Sequence, residues 1–73
     1  MQPHTEKDIA KKLGKNIVLF RRVRKFSQSD LAYEAEIDLS TLSRLERGVL
    51  NVTFSTLYKI SVALNVEIKD LFD

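Results

Sequence analysis

The sequence contains no cysteine and no tryptophan. Without thiols it can build neither a disulfide framework nor a thiolate metal site. Its single histidine, His4, sits beside its single proline, Pro3. A lone imidazole there has no companion ligands and is read as solvated. Glycine is almost as scarce, at Gly14 and Gly48 only, and no Asn-Gly or similar hairpin dipeptide occurs. So few breakers and turn formers favour helices over strands. No apolar run approaches the roughly 18 residues of a membrane-spanning helix. No basic start with an apolar stretch and a small-residue cleavage site marks a secretory signal. The expected location is therefore cytoplasmic. Internal repeats and low-complexity tracts are also missing.

What is present fits a small globular chain. With 73 residues and 44% apolar content there is room for one domain around one core. A chain of this size without staples needs efficient helix packing, oligomerisation, or both. Net charge is only +2, but it is unevenly spread. Residues 1–25 carry eight Lys/Arg against two acidic residues, a net +6, and residues 26–73 carry four against eight, a net −4. The asymmetry suits a polyanionic partner for one part of the molecule, and equally a solvated helix face.

Caps and periodicity divide the chain into five helices. Thr5 precedes Glu6-Lys7-Asp8, a capping box with acidic residues in the first turn. Ile9, Leu13, Ile17 and Phe20 then recur on one face, predicting a helix over 6–24. Gly14 inside it costs about 1 kcal/mol of propensity and marks a close approach. Ser27 and Asp30 form a second capping box, for a helix over 28–35 burying Leu31, Ala32 and Ala35. Asp38 caps a third helix over 39–47, with Leu42 and Leu45 inward and Gly48 as its stop. Thr53 opens a fourth over 54–64, with Leu57, Ile60 and Leu64 inward and Asn65 ending it. A short fifth helix over 67–72 closes the core with Ile68 and Leu71.

The informative stretch is 28–47. Two short helices meet there through the turn Glu36-Ile37-Asp38. Leu31, Ala35, Ile37, Leu42 and Leu45 are placed to lock them at a steep angle. Ala32 is small enough to let the second helix cross close by. The start of that second helix is left projecting, able to enter a groove about 12 Å wide.

These residues resemble the Cro and phage-repressor type of helix-turn-helix proteins, the XRE family. The marks are Leu13-Gly14-Lys15, Phe20-Arg21, Ser27-Gln28, Leu31-Ala32 and Ser43-Arg44-Leu45-Glu46-Arg47-Gly48. Asn51 and Thr53, Leu57, Lys59-Ile60, Ala63-Leu64-Asn65-Val66 and Leu71-Phe72 continue them. The resemblance covers about 13–72 and is similar to restriction–modification controller proteins and small phage repressors. It implies an all-α, compact five-helix lambda-repressor-like domain over 6–73, after a short tail at 1–5. Three positions depart from the family pattern. Glu36 and Lys25 stand where glycine is usual. Val49-Leu50-Asn51-Val52 lacks the basic residues often found in that loop.

The resemblance also implies roles. Gln28 and the amides at its helix start would hold a phosphate. The DNA-binding set is Gln28, Asp38, Leu39, Ser40, Thr41, Ser43, Arg44, Arg47 and Asn51. Within it Arg44 is the candidate for a bidentate guanine contact, and Leu39 could pack on a thymine methyl group. Ser40, Thr41 and Ser43 could also be plain helix surface. Arg21 and Glu46 would pair in a structural salt bridge, although Arg21 could instead be one more phosphate contact. Lys11, Lys15, Arg22 and Lys25 are scattered around the first helix, with at most two expected near phosphate. Val62, Val66 and Phe72 would form a dimer interface, with Val18 as a competing contact.

The implied function is a sequence-specific transcriptional regulator that reads a palindromic double-stranded DNA operator as a homodimer. The alternative is an antitoxin that neutralises a partner toxin and binds DNA secondarily. No nucleophile–base pair, glycine-rich phosphate loop or ligand cluster points to an enzyme, a cofactor or a metal.

Overall fold

A computed structural model describes residues 5–49 and 52–73. Its elements are α1 (Glu6–Val23), α2 (Gln28–Ala35), α3 (Leu39–Glu46), α4 (Phe54–Leu64) and a 3-10 helix, η1 (Ile68–Phe72). All described regular structure is helical. The expected fifth α-helix is instead this 3-10 turn. The element is five residues long, and such a short piece takes the tighter hydrogen-bond pattern readily. Among the described residues no helix is long and apolar enough to cross a membrane.

The caps act as local start signals. Thr5 Oγ1 accepts from the Asp8 N–H at 3.1 Å, and Ser27 Oγ accepts from the Asp30 N–H at 3.0 Å. Each acidic residue returns a bond to the cap's own amide, at 3.3 and 2.9 Å. The Ser27 backbone N–H, with its hydroxyl as the lesser cause, holds the Asp30 carboxyl below its ordinary value. A depressed carboxyl stabilises the fold above its unfolded value. That support fades as pH falls through the lowered one.

The α-helices end alike. At Lys25, Glu36, Gly48 and Asn65 the backbone turns left-handed, with φ of 59°, 55°, 86° and 59°. The following amide reaches back to a carbonyl five residues earlier, as Ile37 does to Ala32 at 3.0 Å and Val66 to Ser61 at 2.9 Å. Four such closures keep the connections short. Gly48 takes the conformation freely, and Asn65 tolerates it. Lys25 and Glu36 hold it against a cost of about 1 kcal/mol each.

Leu13, Ile17, Leu31, Leu42, Ile60 and Leu71 are the fully buried side chains, one or two from every element. Each such burial is worth roughly 1.5–3 kcal/mol. Phe20, Phe26, Ile37, Val52, Leu57, Ala63 and Val66 pack around them. Helix α1 packs on α3 and η1, and α2 packs on α3 and α4. Two details differ from the periodicity. Ile9 is exposed and Ala10 is buried in its place. Near its start α1 has η1 and α3 as neighbours, and their arrangement turns the buried face by one residue. Ser61 is buried, and its Oγ donates to the Tyr58 carbonyl at 2.7 Å.

Gly14 sits where α1 meets the end of α3. A Cβ there would lie 2.5 Å from the Leu45 carbonyl oxygen and 2.9 Å from that of Glu46. Only a hydrogen fits, so glycine sets the separation of the two backbones.

Candidate nucleic-acid interface

The geometry of α3 follows from its two buried leucines. Leu42 and Leu45 anchor one side. At 100° per residue the opposite side carries Ser40, Arg44 and Arg47, all exposed. Leu39, 46% exposed, opens the helix. Thr41 and Ser43 lie half-buried at the margins. Asp38 is the N-cap, yet its side chain makes no capping hydrogen bond. The amides of the first turn of α3 are therefore not engaged by that carboxylate. Asn51 lies outside the described residues, as do His4 and Leu50.

Behind α3 is a charged hub. Arg21 Nε donates to Glu46 Oε2 at 2.7 Å, and Arg21 Nη2 donates to Glu46 Oε1 at 3.1 Å. Their side chains are only 14% and 5% exposed. Arg21 Nη1 also donates to the Phe26 carbonyl at 2.9 Å. Gln28 Nε2 donates to Glu46 Oε1 at 2.8 Å. One carboxylate thus ties together the end of α1, the start of α2 and the end of α3. A buried bidentate pair with its other bonds satisfied fixes orientation more than it adds stability. The Gln28 link joins residues on two different helices.

Gln28 is half-buried at the start of α2. The Asp30 amide is already capped by Ser27. The amides of Gln28 and Ser29 are the ones that the helix itself leaves open. Of the cations on and just after α1, Lys11, Lys15, Arg22 and Lys25 are all exposed. Lys11 lies against Gly48, where a Cβ would come 3.4 Å from its Cγ.

The residues proposed for pairing separate into different settings. Val62 is 59% exposed. It continues a stripe of Phe54 and Tyr58 along α4, at spacings of four, and both of those rings are also exposed. The same spacing of four stands in the sequence. Val66 packs half-buried against the core. Phe72 lines a groove with Asp8, Ile9 and Lys12. Val18 is half-buried.

Comparison with known proteins gives the fold's relatives. A family model for the Cro/C1-type HTH DNA-binding domain matches residues 19–73. Control protein C.BamHI of Bacillus amyloliquefaciens is 45% identical over 64% of this chain. The chain spans between 41% and 58% of the lengths of the curated relatives it matches. The restriction-modification controller protein C.AhdI from Aeromonas hydrophila superposes with a TM-score of 0.82 at 32% identity, covering 86% of this chain and 96% of that one. SinR from Bacillus subtilis, the master regulator for biofilm formation, solved in complex with DNA, superposes with a TM-score of 0.79 at 34% identity, covering 84% of this chain and 98% of that one. The chain belongs to the family of Cro/C1-type helix-turn-helix DNA-binding domains.

Proposed function

We propose that the chain is a sequence-specific transcriptional regulator that reads the major groove of a palindromic operator as a homodimer. The observation that carries this reading is α3, a short helix with one side anchored by Leu42 and Leu45 and the other exposed at Leu39, Ser40, Arg44 and Arg47. In this reading Arg44 donates both guanidinium N–H groups to guanine O6 and N7, and Asp38 accepts from a cytosine amino group. Leu39 packs on a thymine methyl group, while Ser40, Thr41 and Ser43 fill the groove. Gln28, the neighbouring open amides, Arg47 and Asn51 set position on the phosphates.

Binding-site selection with Arg44→Ala beside the unaltered chain tests the assignment. Arg44→Ala is expected to lose preference at one base pair per half-site, at about 1–3 kcal/mol. Gln28→Ala is expected to weaken binding to all sequences alike. An unchanged selected motif for Arg44→Ala would remove Arg44 from the base contacts.

We place the two-fold contact on α4 around Val62, with Val66 packed behind it, and leave Phe72, which lines the groove beside Ile9, outside it. A self-complementary apolar patch yields a closed pair, and two copies can then meet half-sites about 34 Å apart. Val62→Glu is expected to give a folded monomer by sedimentation, with operator binding at least tenfold weaker. A variant that stays dimeric and binds normally would move the interface elsewhere.

A further inference from the structure

The outer face of α1 is used neither by the core nor by the reading of DNA. At 100° per residue Ile9, Lys12, Asn16, Leu19 and Val23 fall within an arc of roughly 80°. They alternate spacings of three and four, the pattern of a helix seam. Ile9, Leu19 and Val23 are exposed, Val23 to 78%. Asn16 Nδ2 donates to the Leu71 carbonyl at 2.9 Å, which holds η1 along one border of the seam. At that border Phe72 joins Ile9, Lys12 and Asp8 around an open groove of about 570 Å³. Apolar surface thus lies at both ends of the seam, a groove at the start of α1 and bare aliphatic side chains at its end, with Lys12 and Asn16 between them. Gly14 and Lys11, which face the end of α3, lie roughly 150° around the helix from the centre of this seam.

We propose that this face of α1 docks an acidic amphipathic helix of a partner protein. Its apolar side lies on Ile9, Leu19, Val23 and Phe72, and its carboxylates meet the cations that border the seam. Charge selects the occupant. Lys12 lies on the seam, with Lys15 and Arg22 beside it, all exposed. Two carboxylates stand at the start of the helix: Asp8, turned back to accept from the Thr5 N–H, and Glu6, exposed beyond the other border. Two copies of α1 set face to face would oppose like charges, whereas an acidic helix gains from both the apolar and the charged rows. A phosphate backbone would gain nothing from the exposed aliphatic row. A helix the length of α1, about 27 Å, offers five turns of contact. The proposal does not depend on the DNA reading, because the two faces are separate.

The test is a titration of the ¹⁵N-labelled chain with a synthetic peptide carrying leucine at heptad a and d positions and glutamate elsewhere. Saturable amide shifts are expected along α1 and at Phe72, with Ser40 to Arg44 unmoved. Affinity should fall at least tenfold in Leu19→Glu/Val23→Glu and in Lys12→Glu/Lys15→Glu, both confined to exposed positions and checked for helix content by circular dichroism. A version of the peptide with lysine for glutamate should not bind. The proposal is overturned by an absence of shifts, by shifts centred on α3, or by equal binding of the lysine peptide. Self-association of the chain through the seam would overturn it too, by making a second copy the occupant.

Discussion

Glu46→Ala is expected to cost about 3–5 kcal/mol of stability, because it strands a buried guanidinium. Arg21 is only 14% exposed and directs both Nε and Nη2 at Glu46. Removing the carboxylate leaves those donors, and that of Gln28, without their acceptor. A domain of this size has only about 4–11 kcal/mol in total, so the variant should sit near the edge of folding. Glu46→Gln keeps the volume and one acceptor, and serves if the alanine variant does not fold. Arg21→Ala/Glu46→Ala should be less damaged than the sum of the single changes, with a coupling of roughly 1–3 kcal/mol in urea denaturation. Zero coupling would mean that the hub does not hold the three helices together.

Gly14→Ala separates local preference from packing by the sign of its effect. Helix propensity alone predicts a gain of about 1 kcal/mol. The structure predicts a loss, because the new methyl group would lie 2.5 Å from the Leu45 carbonyl oxygen. The obstacle is backbone at the end of α3, so relief requires α1 and α3 to move apart. Overpacking of this kind costs typically 1–3 kcal/mol. A lower urea midpoint is expected, with weaker DNA binding because α3 is displaced relative to α2. A stabilised Gly14→Ala protein would show that the helices have room the structure does not allow.

Much of the fold could be read from single residues. Thr5, Ser27 and Thr53 announce helix starts through their own hydroxyls, so α1, α2 and α4 begin where the caps place them. Asn65 and Gly48 announce stops for the same local reason. Ile9 misled because periodicity gives the spacing of a face but not its direction, which the neighbouring helices decide. The fifth element came out as 3-10 because propensity does not set the hydrogen-bond pattern of a five-residue piece. Glu36 and Lys25 stand at left-handed positions that composition alone would not assign to them. The Gln28–Glu46 bond is a tertiary contact between residues 18 apart in sequence, and no local pattern encodes it. The face of α3 was legible because Leu42 and Leu45 leave only one side free.

Paired across a two-fold axis, this free side of α3 is expected to recognise a particular DNA sequence. The most direct test compares the affinity of the unaltered chain for a duplex enriched from a random pool with that for scrambled duplex, across a salt series. The expected result is an inverted-repeat motif bound on the order of a thousandfold more tightly than scrambled DNA. Both affinities should fall steeply as salt rises, as counterions compete for the phosphates. A pool with no enriched motif at low salt and ample protein, or equal affinity for both duplexes, would contradict the account.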